Sequence, residues 1–188
     1  MEVLFIRHGE PNYANVADHN LVSYLGELTP DGEWQAEVVA VQPQLYGAEI
    51  IIASPFTRAL QTAAIISRKT NLPLYVEPGL HEWLSDKSHQ QTLNTDYGIC
   101  SYHEFVDFNG VHSEACKYNW ESAEEIAERA YPVIEKYRAL GYKKIIVVAH
   151  AMLIRTFGYS KQEFPYCGVY PMEFTEDTKY NGFVPWNG

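Results

Sequence analysis

The stretch Val3-Leu4-Phe5-Ile6, followed directly by Arg7-His8-Gly9-Glu10, decides the fold class of this chain. Four consecutive apolar residues are typical of a strand that is covered on both faces of a sheet. Such a strand would carry an arginine and a histidine to its carboxyl end, the edge at which open α/β sheets bind ligands. Gly9 would let the backbone turn away and leave room for a ligand. The segment therefore predicts a central strand with a binding site at its end.

Two later apolar runs, residues 50–53 and 145–149, have the same continuous character and predict two further buried strands. Helical patterns lie between the runs. Thr29-Pro30-Asp31-Gly32 combines an N-cap threonine with proline at the first helical position, and predicts a helix to about residue 41. Ser54-Pro55 repeats this signal and predicts a helix through residue 68, with Ser54 as a helix cap rather than a nucleophile.

Ser122 and Glu125 have the spacing of a capping box, and an apolar face follows them at helical intervals. Pro132 is expected to kink this helix or to mark its true start. A last strand is predicted near residues 167–174, before an Asn181-Gly182 turn. Alternating strands and helices predict an α/β fold, a three-layer sandwich with a mostly parallel central sheet. We expect residues 1–188 to form a single domain, in which residues 85–120 are a small cap-like insertion.

Composition excludes several classes of function. The chain has 188 residues, a hydrophobic fraction of 46% and a formal net charge of −10. These values are typical of a soluble globular protein, and they disfavour binding to nucleic acid or to an anionic membrane. No apolar run reaches the length of a membrane span, and the first residues lack the pattern of a secretory signal. Three cysteines without metal-ligand spacing favour the cytoplasm, although a disulfide between Cys100 and Cys116 remains open. The oligomeric state is open as well.

Each predicted strand leads into a residue that suits an anion. The first ends in Arg7 and His8, the second runs into Ser54-Pro55 and places Arg58 one turn into the following helix, and the third ends in His150. Because parallel strands end at the same edge, we expect these side chains to converge on a phosphate group, to which arginine donates bidentate hydrogen bonds. Glu82, beside Trp83, is the candidate acid for protonating a leaving alcohol. Glu10 or another carboxylate is an alternative acid.

Five segments, in this order, carry a resemblance to the histidine phosphatase superfamily, the group that includes cofactor-dependent phosphoglycerate mutase. They span about residues 1–157 and are Arg7-His8-Gly9-Glu10, Leu28-Thr29-Pro30-Asp31-Gly32-Glu33-Trp34-Gln35-Ala36, Ser54-Pro55-Phe56-Thr57-Arg58-Ala59-Leu60-Gln61-Thr62-Ala63, Leu80-His81-Glu82-Trp83 and Val148-Ala149-His150.

The resemblance implies a metal-independent phosphomonoesterase that acts on a small phosphorylated substrate. His8 would attack phosphorus and form a phosphohistidine. Arg7, Arg58 and His150 would bind the phosphoryl oxygens together with His8. Glu82 would protonate the leaving oxygen and then activate water, so that His8, Glu82 and His150 form the catalytic set. No metal and no organic cofactor is implied.

Three departures from the family pattern bear on the substrate. Ala151 follows the second histidine, where the family usually has glycine, and Pro11 replaces a common serine or threonine. An asparagine that is common in the family would fall at Ala14, with Asn15 one step late, and Asn12 and Tyr13 are expected to take over its contact. Together with Ala151 they are the candidate substrate-binding residues. The departures favour the smaller phosphatases. A phosphoglycerate-type phosphomutase, or a catalytically silent member that binds a phosphorylated ligand or a protein, remains the alternative.

Overall fold

A computed structural model of the chain describes residues 1–12, 22–89, 95–159 and 163–183. The elements, in chain order, are β1 Glu2–Arg7, β2 Pro11–Asn12, α1 Val22–Leu25, β3 Glu27–Leu28, α2 Pro30–Ala40, β4 Ile50–Ala53, α3 Thr57–Thr70, β5 Leu74–Val76, α4 Thr95–Asp107, α5 Ala123–Ala139, β6 Lys144–Ala149, α6 Ala151–Ile154 and β7 Val169–Glu173. Short 3₁₀ turns lie at Pro43–Leu45 and Pro78–Leu80, and a π-helical turn lies at Arg155–Tyr159.

The main sheet has five strands in the order β5-β4-β6-β1-β7. Strands β1, β4, β5 and β6 are parallel, and β7 is antiparallel to β1. The three strands predicted from apolar runs are the three central ones. Arg7 pairs with Ala149, and Ala53 pairs with Val148, so the carboxyl ends of β1, β4 and β6 lie at the same edge. This register brings the residues that follow the three strands, including His8 and His150, to one edge of the sheet.

Helices cover both faces of the sheet, which confirms the predicted three-layer α/β fold. Alternate residues of β1 point to opposite layers, as the two-residue period of a strand requires. One core layer joins Val3 and Phe5 to α5 and α6, and the other joins Leu4 and Ile6 to α2 and α3. Because both faces of the central strands are covered, an uninterrupted apolar sequence is what burial requires of them.

Two of the predicted helix starts have the expected caps. Thr29 Oγ1 accepts a hydrogen bond from Gly32 N at 2.9 Å. At the start of α5, Glu125 N donates to Ser122 Oγ at 3.1 Å, and Ser122 N donates to Glu125 Oε2 at 2.7 Å. The capping box is therefore confirmed. The prediction that Pro132 could mark the start of this helix is wrong, because α5 begins at Ala123 and continues through the proline.

The interpretation of Ser54 as a helix cap is also wrong. Helix α3 begins at Thr57, and its N-cap position is occupied by Phe56. Ser54 Oγ instead accepts a hydrogen bond from Phe56 N at 3.2 Å, which closes a short turn before the helix. The serine is fully buried between the end of β4 and His150, so its hydroxyl faces the edge of the sheet.

The segment 85–120 contains α4 and packs by its own aromatic core. Phe105 and Trp120 are fully buried, and their ring centroids lie 5.2 Å apart. The Glu104 carboxylate accepts hydrogen bonds from Trp120 Nε1 and from the backbone of Lys117 and Tyr118. These contacts fix the loop after α4 against that helix.

Cys100, Cys116 and Cys167 are all free thiols, so the disulfide that the sequence left open does not form. Among the helices in the described ranges, none has the length and apolar character of a membrane span.

Gly9 and Gly32 lie where the first motif and the start of α2 approach most closely. A Cβ at Gly32 would be 2.3 Å from Glu10 O, and a Cβ at Gly9 would be 2.5 Å from Gly32 O. We expect Gly32→Ala to lower the free energy of unfolding by about 1–3 kcal/mol, because the backbone must move apart. Urea denaturation measures this change.

Gly98 provides the matched control, because it lies inside α4 with open space around its Cβ position. Gly98→Ala is expected to raise stability by about 0.5–1 kcal/mol, since alanine loses less backbone entropy in a helix. Equal effects of the two substitutions would show that the close approach at Gly32 does not constrain the fold.

Candidate active site

Four of the predicted residues meet at the carboxyl edge of the sheet. Arg7 ends β1 and His8 follows it, Arg58 is the second residue of α3, and His150 joins β6 to α6. Arg58 Nε lies 3.1 Å from His8 Nε2, and the ring centroids of His8 and His150 are 5.1 Å apart. The side chains of His8, Arg58 and His150 are almost entirely buried. The convergence expected from the three strand ends is therefore present.

The contacts of His8 fix the position of its proton. Nδ1 lies 2.7 Å from the Gly9 carbonyl oxygen, which only accepts, so Nδ1 carries the hydrogen. Nε2 accepts a hydrogen bond from Arg58 Nε and therefore holds a lone pair. Burial, followed by the charges of Arg58 and Arg7, lowers the pKa of His8 to about 3. His8 is thus neutral near pH 7, with an unprotonated nitrogen beside two guanidinium groups.

This lowered pKa predicts that His8 makes the protein less stable in acid. The folded state protonates His8 only near pH 3, whereas an ordinary histidine takes up its proton near 6.5. Between these values the unfolded state binds more protons, so the free energy of unfolding falls as pH decreases through this window. Urea titrations at several pH values should give a weaker pH dependence for His8→Asn than for wild type. Identical pH profiles would contradict a buried neutral His8.

Two buried side-chain nitrogen atoms at this edge have no hydrogen-bond partner in the described ranges. In the described ranges, buried side-chain polar atoms without a partner are Arg7 Nε, His150 Nδ1 and Ser101 Oγ. Such groups are rare in folded proteins because leaving them unsatisfied is costly. Two of the three belong to the cluster around His8, and this favours an oxygen-rich ligand at the site.

Arg7 is held by the segment before β7. Its Nη1 donates to the Phe164 carbonyl oxygen, and its guanidinium carbon lies 4.1 Å from the centroid of the Tyr166 ring. The Tyr166 ring is also 5.8 Å from that of His8. Tyr166 therefore forms one wall of the site, in van der Waals reach of both the cation and the imidazole.

Glu82 follows the 3₁₀ turn Pro78–Leu80, and Trp83 N donates to its Oε1 at 2.8 Å. Burial raises the pKa of Glu82 above its ordinary value, although the Trp83 N–H and the charges of Arg58 and Arg129 partly oppose this. A carboxylic acid at this position keeps its proton to higher pH than an exposed glutamate does. The group can therefore serve as a proton donor beside the cluster of Arg7, His8, Arg58 and His150.

An ion pair holds the loop that carries Glu82. Arg129, on α5, donates to the carbonyl oxygens of Gly79 at 2.7 Å and His81 at 2.9 Å. It also donates to both carboxylate oxygens of Glu121, at 2.6 and 2.9 Å. Glu121 in turn accepts from Leu84 N, and its carbonyl oxygen accepts from Trp83 Nε1. The Arg129–Glu121 pair thereby fixes the backbone on both sides of Glu82.

We expect Arg129→Met to lower the free energy of unfolding by about 3–5 kcal/mol, because it leaves the buried Glu121 carboxylate unpaired. Urea denaturation measures the effect. Arg138→Met is the matched control, since Arg138 makes a similar two-bond pair with Glu135 on the exposed side of α5. The control variant should unfold close to wild type. Equal losses in the two variants would contradict a special role of the Arg129 pair.

Comparison with known families gives a direct match. The family described as histidine phosphatase superfamily (branch 1) matches residues 3–179. The chain belongs to the histidine phosphatase superfamily. The resemblance carried by the five sequence segments is thus confirmed. The sequence matches no curated protein.

Solved structures of this superfamily share the fold. A Bacillus stearothermophilus protein, YhfR, is 17% identical, with a TM-score of 0.72 over 96% of this chain and 94% of its own. A mycobacterial glucosyl-3-phosphoglycerate phosphatase in complex with VO3 is 19% identical, with a TM-score of 0.71 over 95% and 94%. The alpha-ribazole phosphatase from Shigella flexneri is 17% identical, with a TM-score of 0.66 over 100% and 96%. At these identities the likeness establishes the fold.

Two of the three predicted substrate-binding residues lie in the described part of the chain. Asn12 lies in β2 and pairs with Glu27 of β3, in a small antiparallel two-stranded sheet. Ala151 is the first residue of α6 and packs partly against the core. Tyr13 lies outside the described residues.

Sequence reasoning missed a group of aromatic residues beside His150. The Phe56 ring centroid lies 5.2 Å from that of His150, and it stacks on His81 at 6.1 Å. Tyr24 meets Phe56 edge-on at 4.7 Å. Phe56 could have been found, because it lies only two residues before Arg58 in the sequence. No local sequence feature points to Tyr24, because the fold brings it to the site from a distant segment.

Across the described ranges, no group of three or more His, Cys, Asp or Glu side chains has a geometry that could hold a metal ion.

Proposed function

We propose that this protein is a metal-independent phosphomonoesterase that works through a phosphohistidine at His8. The observation that carries the proposal is the state of His8, a neutral imidazole whose Nε2 lone pair is held against Arg58. Nitrogen in this state is a nucleophile, and the adjacent guanidinium groups suit an anionic reaction partner. The names of the solved relatives, a glucosyl-3-phosphoglycerate phosphatase and an alpha-ribazole phosphatase, are consistent with this class of reaction.

In the first step, His8 Nε2 forms a bond to phosphorus while the bond from phosphorus to the ester oxygen breaks. Glu82 gives its proton to the departing oxygen, so that the alcohol leaves neutral. The Arg58 N–H that contacts Nε2 in the free enzyme turns to a phosphoryl oxygen. Positive charge that develops on the imidazole is stabilised by the hydrogen bond from Nδ1 to the Gly9 carbonyl.

In the second step, the Glu82 carboxylate removes a proton from water, and the water oxygen bonds to phosphorus as the N–P bond breaks. Inorganic phosphate leaves, His8 returns to its neutral form, and Glu82 is protonated again. Arg7, Arg58 and His150 bind the phosphoryl oxygens through both steps, and the charge in the transition state is spread over these donors.

The substrate is proposed to be a small phosphate ester whose leaving group contacts Asn12, Tyr13 and Ala151. Residues 85–120 are proposed to cover the leaving-group side of the site, within a single domain of residues 1–188. The three free cysteines support a reducing compartment such as the cytoplasm. The net charge of −10 supports a small molecule rather than a nucleic acid as the partner.

Release of inorganic phosphate from a panel of phosphate monoesters, measured in excess EDTA, tests the proposal. Turnover with release of phosphate is the expected result, and the ranking of the panel would define the leaving group. Transfer of the phosphoryl group to a second hydroxyl, without release, would instead identify a phosphomutase. Binding of phosphate without either reaction would identify a catalytically silent member of the family.

A further inference from the structure

His150 and Ser54 form a buried pair at the centre of the site. Both side chains have no exposed surface, and His150 Nε2 lies 2.7 Å from Ser54 Oγ. The other ring nitrogen, Nδ1, is buried without a hydrogen-bond partner. His150 occupies the N-cap position of α6, yet its side chain does not cap that helix. Among the hydrogen bonds of the described ranges, the ring is therefore held through Nε2 alone, by the serine.

The hydrogen bonds of Ser54 decide which atom of the pair is the donor. Its Oγ already accepts a hydrogen bond from Phe56 N at 3.2 Å. If Nε2 also donated to Oγ, the serine hydroxyl proton would be buried without an acceptor, because Ser54 has no other partner in the described ranges. If the hydroxyl donates to Nε2, every polar atom of Ser54 is satisfied. A buried unmade hydrogen bond is costly, so the second arrangement is favoured.

We propose that Ser54 sets the tautomer of His150, so that the ring proton is held on Nδ1 as a donor to an oxygen of the bound phosphoryl group. Burial, followed by the charge of Arg58, holds the pKa of His150 well below its ordinary value, and the ring therefore carries a single proton. The opposite tautomer would direct a lone pair from Nδ1 at an anionic ligand, which is repulsive. The identity of that ligand rests on the proposed function, whereas the tautomer does not.

The arrangement gives the two histidines different tasks. His8 and His150 both carry their proton on Nδ1, but His8 Nδ1 is bound to the Gly9 carbonyl, and its lone pair is on Nε2, where it accepts from Arg58 Nε. In His150 the serine occupies Nε2, and Nδ1 is the free atom. One ring therefore presents a lone pair to phosphorus, and the other presents an N–H to oxygen. Ser54 is a positioning residue that acts through His150.

Nitrogen NMR of protein labelled with ¹⁵N-histidine tests the tautomer directly. The signals of His150 are those missing from the spectrum of His150→Asn. We expect a protonated Nδ1 and an unprotonated Nε2 in the wild type near pH 7. Added inorganic phosphate should shift the His150 Nδ1–H signal. A His150 protonated on Nε2, or on both nitrogens, would overturn the proposal even in an active enzyme.

Variants of Ser54 test whether the serine hydroxyl sets the tautomer of His150. Ser54→Ala should give His150 a mixture of tautomers and raise the inhibition constant of inorganic phosphate about tenfold, the effect of one hydrogen bond. Ser54→Thr keeps the hydroxyl and should keep both the wild-type tautomer and the wild-type inhibition constant. An unchanged tautomer in Ser54→Ala would overturn the role of the serine.

The wild-type spectrum decides the tautomer if the Ser54 variants do not fold. A protein that hydrolyses no phosphate ester, but whose His150 carries its proton on Nδ1, would refute the proposed function and leave this inference standing. The two proposals therefore fail separately.

Discussion

Replacing His8 with alanine is expected to lower the rate of phosphate release about 10⁴-fold or more. Without the imidazole no phosphohistidine forms, and the cations alone must support direct attack by water. Arg7, Arg58 and His150 remain, so the variant should still bind inorganic phosphate. Steady-state phosphate release together with a phosphate-binding titration measures both effects. The account predicts loss of turnover without loss of binding.

His103→Ala is the matched control for His8→Ala, because His103 is an exposed histidine on α4. Its removal should leave the rate unchanged. A His8→Ala variant that retained a tenth or more of wild-type turnover would exclude His8 as the nucleophile. Loss of phosphate binding together with turnover would point to collapse of the pocket rather than to loss of a nucleophile.

Replacing Glu82 with glutamine is expected to lower turnover of alkyl phosphates by about 10²–10⁴-fold, the range for general acid–base catalysis. Glutamine keeps the shape of the side chain but has no proton to give to a poor leaving group. An aryl phosphate with an acidic leaving group, such as 4-nitrophenyl phosphate, needs less protonation in the first step. The second step still lacks the Glu82 carboxylate that activates water. Rapid-quench kinetics should therefore show the phosphoenzyme accumulating when the variant reacts with the aryl ester.

In the proposed mechanism Glu82 is protonated in the first step, and its raised pKa makes that possible at higher pH than for an ordinary glutamate. Wild-type kcat/KM should therefore fall as pH increases through the Glu82 pKa, and Glu82→Gln should lack this alkaline limb. Glu10→Gln tests the other carboxylate, which accepts a hydrogen bond from Thr29 at 2.9 Å. Glu10→Gln should keep the alkaline limb. Loss of the limb in Glu10→Gln, with the limb kept in Glu82→Gln, would identify Glu10 as the acid.

Much of the fold could be predicted from the sequence because the central strands are covered on both faces. A strand in that environment needs apolar residues without interruption, and residues 3–6, 50–53 and 145–149 show this directly. Thr29 and Ser122 marked the starts of α2 and α5 correctly, because each side chain accepts a hydrogen bond from a backbone N–H three residues later. The start of α3 was misjudged because the Ser54 hydroxyl serves a turn and a distant histidine, and sequence spacing does not reveal the second partner.

The convergence of Arg7, His8, Arg58 and His150 was predictable for the same reason, since parallel strands bring their carboxyl ends together. The contacts that Arg129 and Tyr166 make with the site were not predictable. Arg129 reaches the Glu82 loop from α5, and Tyr166 reaches Arg7 from the segment before β7, contacts across 48 and 159 positions of the chain that no local pattern encodes. The residues that hold this cluster and the Glu82 loop in place thus depend on the tertiary packing far more than the clustered side chains themselves do.

Trapping of the covalent intermediate tests the central claim most directly. Protein mixed with a ³²P-labelled phosphate ester and quenched in base within milliseconds should carry label, because phosphohistidine survives base and is lost in acid. Peptide mapping should locate the label on His8, and His8→Ala should carry none. Label on another residue, or rapid phosphate release with no labelled protein at any time, would contradict a phosphohistidine at His8.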